Sequence, residues 1–292
     1  MQINDLFIFQ SVAEHSSFTK AAAATNTVQS NVTARIKSLE AEFNTRLFER
    51  TSRTITLTEA GTELLKTAKE ILLLLDNTKR MITGVDQSVK GMVKIGCIHT
   101  TAALRVPGIL QAFSEDYPEV EFKIKTGTTS GLVKEVLSCQ LDGAFVAGNI
   151  TDERLTVQPI LTEELGIVTS TLISSYEQLK GTRKKLKLIV FSDGCSYRKH
   201  FEQIITDWEV NKVSLIEMDT LEGILNAVEN NMGITLLPTA LIERNYRYKD
   251  LKVFPLPSKL SSMTTVFVKR NDLTMSTAYQ KFFELIANGY KA

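Results

Sequence analysis

One predicted helix carries short polar side chains at a spacing that suits the reading of DNA bases. The helix is predicted from about Gln29 to Phe43, and its outer face carries Gln29, Ser30, Thr33, Ala34 and Lys37. A Gln amide can pair with adenine through two atoms, hydroxyls can reach bases or phosphates, and an Ala methyl can touch a thymine methyl. Asn31 and Arg35 join these five residues as candidate DNA contacts. The pattern predicts a helix that enters the major groove.

The surrounding elements are predicted to form a helix-turn-helix with a wing. Val32, Ile36, Leu39 and Phe43 recur every three or four residues, so we expect them to face inward. An Ala-rich helix and a polar turn at residues 25–27 come first. Residues 47–57 then alternate apolar and polar around a basic tip, which is typical of a β-hairpin. We expect its Arg50 or Arg53 to approach a minor groove, where narrow A-tracts concentrate negative potential.

The overall charge leaves a second interpretation open, a small helical bundle without a DNA role. The chain has 34 Lys and Arg against 33 Asp and Glu, a formal net charge of +1. The local distribution favours DNA, because the bases outnumber the acids over the helix and wing and can contact phosphates if the acids turn away. The bases are Arg35, Lys37, Arg46, Arg50 and Arg53, and the acids are Glu40, Glu42 and Glu49.

The composition predicts a cytoplasmic protein without a membrane partner, a metal or a cofactor. No basic start precedes an apolar run, and the most apolar run, residues 71–75, is too short to span a bilayer. Cys97, Cys139 and Cys195 are an odd number without metal-site spacing, as expected in a reducing compartment.

A long helix from about Thr58 to Val85 is predicted to pair with its copy. The apolar seam repeats at alternating steps of four and three, which is typical of a coiled coil. The seam consists of Leu64, Ala68, Ile71, Leu75, Thr78 and Ile82. A helix buried within one domain could show the same stripe. Pairing is favoured because helix-turn-helix proteins place two reading helices on the half-sites of an interrupted palindrome.

The rest of the chain alternates strands and helices, which predicts a parallel, doubly wound α/β sheet. Strands are predicted near residues 92–98, 120–124, 143–147, 165–168, 186–191, 213–218 and 233–238, with helices over 109–115, 132–141, 197–208 and 221–231. In such folds ligands bind beyond the carboxyl ends of the strands. Hydroxyls and one Arg lie there, which suits a small organic effector, including an anionic one. The candidates are Thr100, Thr101, Thr128, Thr129, Cys195, Ser196, Arg198 and Thr220.

Three alternatives compete with this prediction. Each Thr or Ser could simply cap the helix that follows it. Cys195 lies near a predicted helix start with Arg198 one turn on, so the thiol could have a lowered pKa and sense oxidants. An α/β enzyme without a DNA role is the third alternative, but nucleotide-binding, metalloprotease and serine-hydrolase motifs are absent from the sequence, so no enzymatic activity is expected.

The N-terminal residues resemble the LysR-type transcriptional regulators. The matching pattern is Phe18, Ala21, Ala22, Gln29, Val32, Thr33, Ile36, Leu39, Glu40, Leu47, Phe48, Arg50, Arg53, Leu57, Thr58, Ala60 and Gly61. Thr25, Thr27, Val28 and Asn44 depart from it. Val28 cannot cap, so Asn26 or Thr27 is expected to cap a slightly earlier helix start. Asn44 tolerates a left-handed backbone.

The resemblance implies an α/β protein overall, with an N-terminal winged helix-turn-helix, a long linker helix and a C-terminal two-lobed periplasmic-binding-protein-like effector domain. We expect the winged helix-turn-helix over residues 1–58, the dimerising linker helix over 59–86, a hinge over 87–91 and the effector domain over 92–292. Lobe I is expected at about 92–161 and 267–292, and lobe II at about 162–266, with crossovers near Leu161 and Val266. The implied partners are a double-stranded DNA operator, a small-molecule effector, further copies of the chain as a homodimer or homotetramer, and RNA polymerase.

Overall fold

Three helices and a two-stranded hairpin build the start of the chain in the computed structural model. The structure describes residues 1–50, 55–83, 89–175, 186–208, 213–257, 260–273 and 275–289. Two compact units are formed, one by residues 1–89 with 137–140 and 272–277, the other by residues 90–136, 141–271 and 278–292. Within the described ranges, no helix has the length and apolar character needed to cross a lipid bilayer.

The first unit contains α1 (Ile3–His15), α2 (Phe18–Ala24), α3 (Gln29–Glu42) and a hairpin of β1 (Phe48–Arg50) and β2 (Ile55–Leu57). Its core includes Phe9, Val32, Ile36 and Leu39, each at most 1% exposed. The ring of Phe48 packs 5.2 Å from that of Phe9, so the wing is fastened to α1. Three of the four apolar positions predicted on α3 face this core. Phe43 was predicted wrongly and is 44% exposed, because the helix ends at Glu42 and Phe43 is its C-cap.

The long helix α4 (Glu59–Thr83) has different surroundings in its first and second halves. Leu65 and Ala68 are buried in the core of the first unit, and Leu64 and Ile71 pack against that core. The first half of the predicted seam therefore faces its own domain. Leu74 lies further along and is 66% exposed. The predicted helix end at Val85 and the start of the predicted hinge fall outside the described residues.

Lobe I of the second unit is a sheet covered by helices. Strands β3 (Gly91–Cys97), β4 (Val120–Thr126) and β5 (Gly143–Ala147) run parallel in the order β4-β3-β5. The helices are α5 (His99–Leu104), α6 (Val106–Asp116), α7 (Thr129–Leu137) and α11 (Thr277–Ala287). Phe282 of α11 packs its ring against Phe113, Phe122 and Phe145, which holds the last helix on this lobe. The predicted hinge residue Gly91 belongs to β3.

Lobe II is also a sheet with helices packed against it. Strands β7 (Leu186–Val190) and β8 (Val213–Glu217) are parallel, and β7 bridges at Leu188 to Ile234, next to β9 (Thr235–Pro238). Strand β10 (Leu251–Pro255) closes the far edge. The helices are α8 (Ser196–Asp207), α9 (Leu221–Glu229) and α10 (Thr239–Asn245). The sequence did not predict α5, α10 and β10, which are short segments. It also did not predict β11 (Ser262–Arg270), where only a crossover near Val266 was expected.

Two long strands connect the lobes. Strands β6 (Leu155–Ser170) and β11 (Ser262–Arg270) pair antiparallel, with a register shift between Thr265 and Val266. Strand β11 also pairs with β5, while β6 also pairs with β9 and β10, all antiparallel. The predicted all-parallel sheet is therefore corrected to mixed sheets. The α/β class is confirmed, since each lobe keeps a parallel set of strands joined through helices.

Candidate nucleic-acid interface and effector cleft

The reading face of α3 is one concave, open surface. Its lining consists of Gln29, Ser30, Thr33, Ala34 and Lys37, around a space of about 540 Å³. The Thr33 hydroxyl donates to the backbone oxygen of Gln29 at 2.9 Å, so it is turned toward its own helix. These are the five residues that the periodicity assigns to the outer face. The base contacts of each remain a prediction.

Arg35 and Asn31, the other two predicted contacts on α3, bond inside the domain. Arg35 Nη1 lies 2.9 Å from Asp5 Oδ1 and 3.3 Å from Gln2 Oε1, at the start of α1. Asp5 is only 6% exposed, and its other carboxylate oxygen accepts from the Gln2 backbone N–H at 2.7 Å. Asn31 Nδ2 donates to Thr27 Oγ1 at 2.9 Å. Arg35 therefore ties α3 to α1 through Nη1, and its role as a DNA contact remains a prediction.

The start of α3 differs from the expectation. Val28 is the N-cap and provides no side-chain hydrogen bond, so the helix does not start earlier and neither Asn26 nor Thr27 caps it. Asn26 instead has a left-handed backbone, with φ of 50°, directly after the C-cap of α2, where it ends that helix. Without a cap, backbone N–H groups at the start of α3 remain available for an anion such as a DNA phosphate.

The segment from α3 to the wing turns one acid away from the reading face. Asn44 has φ of 49°, which confirms the expected left-handed residue after the helix. Glu40 Oε1 accepts hydrogen bonds from the backbone N–H groups of Leu47 and Phe48, at 3.0 and 3.4 Å. The wing pairs Phe48 with Leu57, as the alternating pattern predicts.

The predicted minor-groove residues of the wing are only partly described. Arg50 pairs through its backbone with Ile55, while its side chain lies outside the described atoms. Arg53 also lies outside the described residues. Both arginines stay predictions as DNA contacts.

A closed cavity lies between the lobes at the carboxyl ends of their strands. Its lining is Ile98, His99, Thr100, Gly127, Thr128, Phe191, Cys195 and Tyr197. The free volume is about 10 Å³, close to the least that holds one water molecule. The ring of His99 from lobe I stacks on that of Phe191 from lobe II, with centroids 4.8 Å apart and planes 7° from parallel. The rings of His99 and Phe191 thus fill part of the cleft in which an effector is predicted to bind.

Hydrogen bonds between the lobes surround this stack. Thr100 Oγ1 donates to the Tyr197 hydroxyl at 3.5 Å, and Ser196 Oγ donates to the Ala147 carbonyl at 2.6 Å. The Ser130 backbone N–H donates to the Gly194 carbonyl at 3.2 Å. The structure therefore brings together residues of both lobes, and it holds the lobes closed.

Of the other predicted effector residues, Thr128 also lines the cavity between the lobes, whereas Thr101, Thr129 and Thr220 do not. Thr129 Oγ1 bonds to the backbone of Ala147 within lobe I. Thr128 and Thr220 accept backbone N–H groups at helix starts, from Gly131 at 3.3 Å and Gly223 at 3.1 Å, which is the capping alternative. Thr101 lines a separate apolar cavity with Arg105, Ile109, Phe145, Ile160, Leu161, Thr265 and Ile286.

Arg198 is paired inside lobe II. Its Nε donates to Glu202 at 3.0 Å and its Nη1 donates to Glu217 at 2.7 Å, and the side chain is 16% exposed. These bonds raise the pKa of the guanidinium, with the Glu202 bond as the largest cause. An anionic effector would have to compete with two carboxylates for this group, so the geometry gives its predicted role no support.

Comparison with known proteins identifies the family. Residues 3–62 match the model of the bacterial regulatory helix-turn-helix protein, lysR family, and residues 86–291 match that of the LysR substrate binding domain. The chain belongs to the LysR family of transcriptional regulators. It is similar to the regulator SoxR of Arthrobacter sp. (strain TE1826), 38% identical over 99% of this chain and 97% of that protein. It is also similar to the regulator CzcR of Bacillus anthracis, 36% identical over 98% of this chain and 97% of that protein.

Solved structures of full-length LysR-type regulators share the fold. A single-residue variant of full-length OxyR from Pseudomonas aeruginosa aligns with a TM-score of 0.73 at 18% identity, covering 99% of this chain and 94% of that chain. Full-length CbnR in complex with its target DNA aligns with a TM-score of 0.62 at 17% identity, covering 99% of each chain. The protein is therefore a LysR-family DNA-binding transcriptional regulator with an effector-binding domain.

The thiols of this LysR-type regulator lie in surroundings that disfavour the thiolate. Cys97, Cys139 and Cys195 are all buried. Burial raises the pKa of the Cys195 thiol, and the opposing effect of backbone N–H groups of Arg198 and Tyr197 is smaller. Burial also raises the pKa of Cys97, to about 11. The Cys195 environment therefore argues against the oxidant-sensing alternative.

Two aromatic residues of the cleft escaped the sequence analysis as candidates. Phe191 ends the segment predicted as a buried strand, and Tyr197 begins the next predicted helix, so both were assigned to structure alone. Tyr197 is 3% exposed, and burial raises the pKa of its hydroxyl, which accepts the Thr100 hydrogen bond and stays protonated. One sequence signal could have identified Phe191. It is an aromatic residue at the carboxyl end of a predicted strand, and His99 follows the carboxyl end of another.

Proposed function

We propose that α3 of this LysR-family regulator reads a double-stranded operator and that a small organic effector controls the DNA-bound arrangement from the cleft between the lobes. The observation that carries the effector site is the cavity that the stacked rings of His99 and Phe191 help to line, where strand ends of both lobes converge. The proposed effector role requires no catalytic step from any residue of the cleft.

The closed cleft suggests how an effector could act. A cavity of about 10 Å³ excludes any organic molecule, so binding needs the rings of His99 and Phe191 to part. A ligand can shift this equilibrium only by the difference between its affinities for the two arrangements. An effector that binds the parted lobes stabilises that arrangement, and a changed lobe position alters the contacts between subunits.

We further propose that the DNA-bound form is a homodimer or homotetramer on an interrupted palindrome. The 66% exposure of Leu74 on α4 supports pairing through the second half of this helix, because a large apolar side chain in the middle of a long helix gains most from a partner. Two α3 helices would then reach two half-sites. The same assembly would act in the cytoplasm, with RNA polymerase as a further partner.

Thermal unfolding of the full chain with a panel of small organic acids, amino acids and aromatic compounds tests the effector site. An effector at 100 times its Kd adds about 2.7 kcal/mol to the free energy of unfolding. Thr100→Val removes the hydroxyl that reaches Tyr197 and should weaken the response. Thr206→Val is the matched control, because its hydroxyl donates to the Glu202 carbonyl of its own helix.

Two results decide the outcome. The increase in thermal stability caused by the effector is the response. If it is unchanged in Thr100→Val and lost in Thr206→Val, the effector binds elsewhere. Arg198→Ala tests the anionic class separately, since a retained response to an acid removes Arg198 from the site.

A further inference from the structure

Thr19, on the helix before the reading helix, contacts the amide side chain of the reading face. Its Oγ1 donates a hydrogen bond to Gln29 Oε1 at 3.1 Å. Thr19 is the second residue of α2 and Gln29 is the first residue of α3. The bond therefore crosses the turn of the helix-turn-helix and joins the starts of its two helices.

The backbone position of Thr19 is fixed by the residues around it. Phe18 and Ala21 are buried in the core, and Ser17 caps α2 by accepting the Lys20 backbone N–H at 3.3 Å. Gln29, in contrast, is exposed and has a long side chain with several rotamers. The Thr19 hydroxyl, on a firmly held backbone, thus selects one position of the Gln29 side chain, which is otherwise free to rotate.

We propose that Thr19 is a positioning residue that sets the base preference of Gln29. This inference rests on the proposed function, in which the face of α3 enters the major groove. The hydrogen bond is worth little in water, where both groups are exposed. It gains importance in the groove, because water is excluded there and because the amide reaches the base already ordered.

The geometry favours adenine as the base that Gln29 reads. A carbonyl oxygen has two lone pairs, so Oε1 can accept from Thr19 and from the adenine N6 amino group at the same time. The Nε2 group then donates to adenine N7. Guanine presents two acceptors at the same edge, so the fixed Oε1 faces an acceptor and the pair is lost. A Gln29 side chain released from Thr19 can rotate its amide away and tolerate other bases.

Selection of binding sites from a random-sequence DNA pool by the full-length protein, followed by sequencing, tests this. Thr19→Val should lower the preference for adenine by about fivefold at one position of each half-site. Thr19→Ser keeps the hydroxyl and should restore it. Thr25→Val is the matched control in the same helix-turn-helix, because the Thr25 hydroxyl donates to the Ala21 carbonyl at 2.7 Å and does not reach Gln29.

The Gln29→Ala variant separates the contribution of Thr19 from that of the reading face. Gln29→Ala should relax the same position, and Thr19→Val should then add nothing in the Gln29→Ala background. A Thr19→Val protein that binds every sequence more weakly, with unchanged base preference, would make Thr19 a phosphate contact and overturn the inference. A Thr19→Val protein with unchanged affinity and unchanged base preference would also overturn the inference.

The proposed function fails in a different way. A wild-type protein that selects no sequence, or a Gln29→Ala protein with unchanged preference, shows that Gln29 does not read bases. A preference that changes in Gln29→Ala but not in Thr19→Val overturns only the inference about Thr19. Melting temperatures of all variants, compared with wild type, establish that each one is folded.

Discussion

The substitution Gly194→Ala should loosen the closed arrangement of the two lobes. Gly194 lies in the loop after β7 with φ of +85°, a backbone conformation that side-chain-bearing residues rarely adopt. A Cβ atom there would overlap Ser130 Oγ of lobe I and lie 3.1 Å from Ser130 Cβ. The same Ser130 donates its backbone N–H to the Gly194 carbonyl. The added methyl group therefore acts both within lobe II and on the contact between the lobes.

The two contributions have different magnitudes and can be separated. The positive φ costs roughly 1–2 kcal/mol whether the lobes are closed or open. The overlap should cost the closed arrangement about 1 kcal/mol more, since the Ser130 hydroxyl must leave its present position. A difference of about 1 kcal/mol shifts the ratio of closed to open lobes about fivefold.

Amide hydrogen exchange measures this shift directly. The Ser130 amide is protected by its bond to Gly194, so its exchange should rise about fivefold in Gly194→Ala. In a Ser130→Gly background the two Ser130 atoms are absent, and the nearest remaining atom of lobe I is Thr128 Oγ1, at 3.2 Å from the added Cβ. Gly194→Ala should then cost little more than the backbone strain. An equal loss of stability from Gly194→Ala with and without Ser130→Gly would refute the reasoning, because the methyl group would not act across the cleft.

Three further predictions concern the linker helix, the stacked histidine and the buried thiol. Leu65→Ala should lower the free energy of unfolding by about 2–5 kcal/mol in chemical denaturation, since Leu65 is 1% exposed, whereas Leu74→Ala should change it little and instead weaken dimerisation in sedimentation. Burial lowers the pKa of His99, more than Asp219 raises it, so the stability of the closed cleft should be full above the unfolded pKa of about 6.5 and should fall as pH drops below it. Cys195 should react with a disulfide reagent slowly at neutral pH, since burial raises its pKa.

Each of these predictions has a contrary outcome. An unchanged dimer dissociation constant in Leu74→Ala would remove Leu74 from the subunit interface. His99→Gln should abolish the loss of cleft protection at acid pH, and a variant that keeps the same pH profile would assign it to another group. Rapid modification of Cys195 in the folded protein, with altered operator binding, would restore the oxidant-sensing alternative.

Local patterns allowed much of the fold to be predicted. The spacing of Val32, Ile36 and Leu39 determines which face of α3 is buried, because helical periodicity is a property of neighbouring residues. The alternation around the wing and the succession of strands and helices are local in the same sense. The family motif depends on these local features, so the sequence alone identified a helix-turn-helix regulator with an α/β effector domain.

Pairings between distant residues could not be predicted in this way. Arg35 was predicted as a DNA contact one residue beyond Ala34 of the outer face, but its long side chain reaches Asp5 on α1. Arg198 was expected to meet an anion, and the fold supplies Glu217 from a neighbouring strand instead. Strand β6 was predicted only in part, because its partners β9, β10 and β11 come from much later in the chain.

The sequence by itself determined the class of the protein and the outer face of α3 that is predicted to read DNA, because both follow from side chains a few residues apart. Tertiary structure alone decided that the cleft is closed. The stack of His99 on Phe191 and the bond from Thr100 to Tyr197 join residues of different lobes. No periodicity encodes such contacts, since they depend on how β6 and β11 carry one lobe against the other.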